Sequence, residues 1–155
     1  MKGKQKDKKQ PKQEAIDFGL NNIELLGVNL NHPNESIQNT NFQFEINSQQ
    51  KFHPKEKTLV VEIRIDVSHK EIEQEVLGSI SVACIFELNV NNQDIDYENK
   101  QVSLPDEIFV TINSISISTA RGIMFSEFKG TFLDKAHLPV VDPRTISEKM
   151  THQKG

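Results

Sequence analysis

Two segments in the middle of the chain alternate apolar and polar residues with a period of two. In residues 58–68 one face holds Leu59, Val61, Ile63, Ile65 and Val67. In residues 75–90 one face holds Val76, Ile80, Val82, Cys84, Phe86, Leu88 and Val90, with Gly78 as a gap. This spacing is typical of half-buried antiparallel strands. Because the segments are neighbours in the sequence, we expect them to form a hairpin.

Two shorter strands are predicted before this hairpin. Residues 23–30 are apolar and end before His32-Pro33, since proline lacks the N–H that a strand ladder needs. Residues 31–40 form a polar loop, after which apolar Phe42, Phe44 and Ile46 alternate with polar residues. The many Asn and Asp residues in 91–99 predict a loop after the hairpin.

The segment from 106 to 130 is ambiguous by periodicity alone. Pro105 and the acids after it are a helix-start signal, and an apolar residue recurs every three to five positions thereafter. Residues 112–119 (INSISIST) also alternate like a strand and contain weak helix formers. Its length favours one long helix that ends near Gly130. An apolar loop (131–143) and a short helix (143–152) are expected to follow.

Strands followed by helices indicate an α+β fold, with a four-stranded antiparallel sheet followed by a long and a short C-terminal helix. We expect a disordered basic tail at 1–14, a single domain at 15–146, and the end of the short helix with a tail at 147–155. Strand order does not follow from these patterns.

Charge and composition reduce the number of possible functions and locations. Residues 1–14 carry six lysines and two acids, a net charge of +4, and the whole chain carries −4, so the remaining residues carry −8. An acidic body argues against nucleic-acid binding. No stretch approaches the roughly 20 apolar residues of a membrane helix, and no apolar segment follows the basic N-terminus as in a secretory signal. With a single cysteine, Cys84, in an apolar run, a cytoplasmic location is expected.

Signals for catalysis are weak. The five histidines are scattered without metal-ligand spacing, and no nucleotide-binding or nucleophile motif occurs, so we expect no enzyme activity, metal or cofactor. His32 and His53 could meet across the first loops, although a surface role is the simpler interpretation. Arg121, inside the helical stripe, is expected to form a structural ion pair.

The element order and several local motifs resemble the SecB family of export chaperones over roughly residues 23–146. The first strand with its Pro-Asn stop (28–34), the long loop after it, the strand at 42–46 and the central hairpin all have counterparts. The most specific part is C-terminal, where motifs at 120–121 (AR), 129–132 (KGTF) and 138–140 (LPV) follow the family order and spacing. The family's aromatic-proline-aromatic motif is absent, since residues 117–119 are IST.

The resemblance implies a holding chaperone that binds unfolded polypeptides without ATP, possesses an apolar groove, and forms a homotetramer as a dimer of dimers. The expected groove residues are Phe42, Phe44, Ile46, Phe52, Phe132, Leu133 and Leu138. The resemblance also implies a partner face containing Leu77 and the translocase ATPase SecA as a partner. However, the counterparts of the family's acidic SecA contacts are uncharged here, namely Gly27, Asn31 and Ser79. The alternative is a dedicated binder of one partner, of the toxin–antitoxin type.

Overall fold

The computed structural model describes residues 17–37, 39–72, 75–142 and 144. Its main elements are strands β1 (Asp17–Leu30), β2 (Phe42–His53), β3 (Thr58–His69) and β4 (Gly78–Asn89), two short strands β5 (Ile95–Asp96) and β6 (Gln101–Val102), and helix α1 (Asp106–Phe128). This is the predicted α+β arrangement of a four-stranded antiparallel sheet and a long helix. The predicted tail at 1–14 lies outside the described residues, as does the short helix at 143–152 apart from residue 144.

The predicted central hairpin is confirmed, because β3 pairs antiparallel with β4. The face of β3 that alternation assigned to the core is buried throughout. We call this side of the sheet, which packs against α1, its inner face. Val76 is an exception to the prediction: it precedes β4 and remains 42% exposed.

The strands are arranged in the order β1-β4-β3-β2, so β1 and β2 lie at opposite edges of the sheet. The chain must therefore pass from one edge to the other between β1 and β2, and residues 31–41, the crossover loop, make this connection. Both outer strands are longer than predicted. In β2 the polar residues at 47–51 continue the ladder because each has a partner on β3.

Helix α1 resolves the ambiguity at 106–128 in favour of a helix. It begins directly after Pro105, and Gly130, at φ 78°, adopts the left-handed conformation that favours glycine after a helix end. Its buried face consists of Ile112, Asn113, Ser116, Ile117, Ala120, Met124 and Phe128. The helix packs on β3 and β4, the two central strands. The inner face of each edge strand is therefore left partly uncovered.

Two further features differ from the sequence expectations. Residues 91–99 are not a plain loop, because a 3-10 turn at Asn92–Asp94 leads into the small β5–β6 hairpin. Helix α1 is long and apolar enough to cross a membrane by length and composition, the one such helix in the described ranges. Its serines and threonines concealed this apolar character in the sequence. The core helix of a soluble protein passes the same test, and α1 buries one face against the sheet.

Candidate functional cleft

An open cleft lies at the end of the sheet where β2 begins and α1 ends. One wall is the crossover loop, and the other is the segment after α1, residues 129–142, which we call the post-helix loop. The cleft has a volume of about 580 Å³. Its lining consists of His32, Pro33, Glu35, Ser36, Ile37, Asn39, Thr40, Phe42, Thr131, Phe132, Asp134 and Lys135. Apolar side chains are thus mixed with polar and charged groups of both signs.

The post-helix loop is shaped by hydrogen bonds around Thr131. The Thr131 hydroxyl donates to the Phe128 carbonyl at 2.7 Å and accepts from the Leu133 N–H at 3.1 Å. The Thr131 carbonyl accepts from the Asp134 N–H at 3.0 Å. These bonds turn the chain tightly after the left-handed Gly130, so Phe132 faces the cleft while the next residue, Leu133, points into the core.

Leu133 anchors this wall in a space left by a glycine. Leu133 is fully buried, and a Cβ built on Gly78 would overlap its Cδ1 atom. Gly78, at the start of β4, therefore provides the recess that admits the Leu133 side chain. On the cleft side, the Phe132 ring packs on the His32 ring of the crossover loop with centroids 4.5 Å apart. The two walls are thus in contact with each other through these rings.

The predicted groove residues separate into three groups. Phe42 and Phe132 line the cleft, while Phe44 and Ile46 continue from it along the half-buried inner face of β2. Phe52, Leu133 and Leu138 belong to the core, with exposed fractions of 6% or less. Assigning these three to the groove surface is wrong for the folded chain, because their side chains point inward. Leu77 is also fully buried, so its side chain offers no surface to a partner.

The edge of β2 that faces away from β3, which we call its free edge, pairs with no other strand of the described ranges and extends the cleft with backbone groups. The Lys70 N–H donates to the Asn41 carbonyl at 3.0 Å, and the antiparallel register continues from this pair through the strand. Odd-numbered residues of β2 therefore bond to β3, and even-numbered residues direct their N–H and C=O groups away from the sheet. These include Phe44, Ile46 and Ser48, whose side chains are on the half-buried inner face.

The opposite edge of the sheet carries an exposed apolar strip. Its residues lie opposite the inner-face residues of β4, but α1 does not cover them. They are Leu20, Ile23, Leu25 and Leu30, each at least 36% exposed. Apolar surface of this kind is characteristic of an interface between proteins.

One sequence expectation about a polar residue, the Arg121 ion pair, is not met, and the contact considered between His32 and His53 does not form. Arg121 forms no ion pair within the described ranges; instead its Nη2 atom donates to the Pro139 carbonyl at 3.1 Å, which ties the post-helix loop to α1. His32 and His53 do not meet, because His32 lies at the cleft while His53 ends β2 at the far end of the sheet.

Two observations describe the titratable groups in the described part of the chain. No cluster of three His, Cys, Asp or Glu side chains there is arranged to hold a metal ion. Cys84 is buried beneath α1, and this burial raises the pKa of its thiol, an effect that hydrogen bonds with Ser116 and Thr119 oppose. A thiol with a raised pKa is a poor nucleophile.

Several cleft residues were missed by sequence analysis, namely His32, Ile37, Asn39, Thr131 and Lys135. All lie in loops, where periodicity gives no signal. A further residue, His69, does not line the cleft but contacts two residues that do. The sequence did contain a signal for His69, because this residue continues the row of odd-numbered residues that alternation assigns to the buried face of β3.

Comparison with known proteins supports a fold assignment. No protein-family model matches the chain, and no curated protein sequence does. A solved structure of the Mycobacterium tuberculosis Rv1957 SecB-like chaperone, in complex with a ChAD peptide from the Rv1956 HigA1 antitoxin, is similar at a TM-score of 0.53. The two chains are 12% identical, and the match covers 80% of this chain and 90% of that one. The α+β fold described above is therefore the fold of a SecB-like chaperone, here in a highly divergent sequence.

Proposed function

We propose that this protein is a SecB-like chaperone that binds unfolded polypeptides in the cleft without ATP. The observation that carries the proposal is the cleft itself, which is open and amphipathic and continues into the free edge of β2. Aromatic rings can accept many apolar side chains, and unpaired strand groups can bond to any extended backbone. Together they suit segments that differ in sequence but share an extended conformation.

Suppression of aggregation tests this function. A reduced, unfolded test protein should scatter less light in the presence of this protein, at near-stoichiometric amounts and without nucleotide. Phe132→Ala should weaken the suppression severalfold because it removes the ring that joins the two walls. Tyr97→Ala is the matched control, since Tyr97 is an exposed aromatic residue of the β5–β6 region outside the cleft. Equal suppression by both variants would contradict a role for the cleft.

Backbone recognition can be tested separately with N-methylated peptides. In an extended peptide, alternate N–H groups face the same strand edge. Methylation of the N–H groups that face β2 should abolish binding along this strand. Methylation of the N–H groups that face away from β2 should leave binding nearly intact. Equal effects of the two sets would show that the β2 edge does not pair with the peptide.

The second candidate is a dedicated binder of one partner, and the antitoxin peptide held by the similar mycobacterial chaperone favours it. A survey of captured clients separates the two functions. One tightly bound partner would indicate a dedicated chaperone. Many weakly bound clients would indicate a general holding chaperone, and such a chaperone could serve protein export. We do not extend the proposal to SecA, because Gly27, Asn31 and Ser79 are uncharged and Leu77 is buried.

We further propose that the protein is a cytoplasmic homotetramer arranged as a dimer of dimers. The apolar strip on β1 supports self-association, because a second copy would remove it from water. Light scattering coupled to size-exclusion chromatography should give a mass of four protomers. A monomer without affinity for unfolded clients would contradict both the assembly and the function.

A further inference from the structure

His69 lies beneath the crossover loop at the end of β3. Its side chain is 3% exposed and follows the buried inner-face residues of that strand. Phe42, which lines the cleft, is its partner in the β2–β3 register, and the two rings meet edge to face with centroids 5.6 Å apart. A buried imidazole must have hydrogen-bond partners for its nitrogen atoms.

The contacts of His69 determine which nitrogen atom carries the proton. The backbone N–H of Glu71 donates to Nδ1 at 3.1 Å, so Nδ1 is an acceptor and bears no hydrogen. Nε2 must then carry the proton of the neutral ring. It lies 2.7 Å from Oδ1 of Asn39, to which it donates. His69 thus links the turn after β3 to the crossover loop.

Asn39 completes a closed ring of hydrogen bonds. Its Oδ1 atom accepts from Nε2 of His69 and from the Asn41 N–H at 3.1 Å. Its Nδ2 atom donates to Oε1 of Glu71 at 2.9 Å. Every donor in this ring faces an acceptor only when His69 is neutral. Asn39 and Thr40 line the cleft, so the ring fixes the crossover-loop wall.

We propose that His69 is a positioning residue that holds the crossover-loop wall of the cleft through this ring of hydrogen bonds. Loss of either bond of the imidazole would open the ring, since His69, Asn39 and Glu71 each donate one bond and accept another in it. Glu71 is the charged group in the ring, neighbouring Lys70 is exposed, and Phe42 and Asn39 present no charge to the imidazole. The consequence for peptide binding rests on the function proposed above.

Two substitutions separate the two bonds of His69. An asparagine at 69 can accept the N–H two residues on, as Asx turns do, but is too short to replace Nε2. A glutamine can place an amide donor near the position of Nε2. Hydrogen exchange of residues 31–41 measures the wall directly, whether or not a client binds. Exchange of α1 residues 106–128 is the internal control for folding.

We expect His69→Asn to speed exchange in residues 31–41 about tenfold at pH 7.5, as for the loss of one hydrogen bond. His69→Gln should remain within about twofold of the parent protein. Parent-like protection in His69→Asn, or a loss of protection in His69→Gln as large as that in His69→Asn, would overturn the proposal.

Peptide affinity distinguishes this inference from the function itself. For a short unfolded peptide with apolar residues, affinity should fall about tenfold in His69→Asn and be largely retained in His69→Gln. If loop exchange responds as expected but no form of the protein binds the peptide, the role of His69 in the wall stands and the proposed function fails. If the peptide binds equally to all forms and loop exchange is unchanged, the role of His69 fails and the function stands.

Discussion

The fit between Gly78 and Leu133 gives a sharp test of how the cleft is supported. Gly78 begins β4, and a Cβ at this position would overlap the Leu133 Cδ1 atom and lie 3.3 Å from Cζ of Phe128. Gly78→Ala therefore overpacks the recess, whereas Leu133→Ala empties it. In the double variant, the methyl group of residue 78 fills part of the space that the shortened side chain of residue 133 leaves. The two changes should therefore compensate in part.

The magnitudes follow from the complete burial of Leu133. Truncation of a buried leucine to alanine lowers the free energy of unfolding by about 2–5 kcal/mol, and overpacking costs about 1–3 kcal/mol. In a chain of this size each 1 kcal/mol corresponds to roughly 2–4 °C in Tm. The double variant should be more stable than the sum of the single effects by at least about 1 kcal/mol.

Urea unfolding at one fixed protein concentration provides the measurement, since self-association would otherwise shift the midpoint. Gly122→Ala is the matched control, because a Cβ on this exposed helix residue meets no atom within 4 Å. It should raise the free energy of unfolding by about 0.5–1 kcal/mol. If the Gly78 and Leu133 effects add within about 0.5 kcal/mol, the recess does not couple β4 to the post-helix loop.

Three further predictions concern single positions. Gly130→Ala should lower the free energy of unfolding by about 1–2 kcal/mol, measured in urea, because residue 130 has a left-handed φ of 78°. Cys84 should react with iodoacetamide at pH 8 at least about tenfold more slowly in the native protein than in urea, because burial raises its thiol pKa; equal rates would contradict this. Asn113→Ala should lower the free energy of unfolding by about 1–3 kcal/mol in a urea titration, because the fully buried Asn113 side chain accepts a hydrogen bond from Gln50. The control, Ser118→Ala at an exposed position, should lower it by less than about 0.5 kcal/mol.

The sheet could be predicted where side-chain alternation agreed with strand pairing. The β3–β4 hairpin has apolar residues at nearly every inner position, and both its existence and its inner face follow from the sequence. The second half of β2 could not be predicted, because residues 47–51 are polar and are drawn into the sheet by their backbone bonds to β3. Strand order depends on long-range pairing, which alternation does not encode.

Most of the cleft lining was not predicted from the sequence. Phe42 and Phe132, two of the groove residues expected from the resemblance to SecB, line the cleft. Leu133 was assigned to the groove from the resemblance to SecB. The alternative, a glycine recess in a distant strand, requires knowledge of which residues meet in space. His69 was not among the predicted site residues, although its position in β3 is a core position.

The strand order also determines when the protein can complete its fold during synthesis. Asp17 pairs with Asn89 and Leu30 pairs with Gly78. Strand β1 therefore cannot join the sheet until β4 has been synthesised. Until β4 leaves the ribosome, the apolar residues of β1 have no partner strand in the chain. Pairing between distant segments is slow and leaves strands exposed to aggregation. During its own synthesis, a protein proposed to protect unfolded chains therefore presents the same unprotected surface that it would recognise in others.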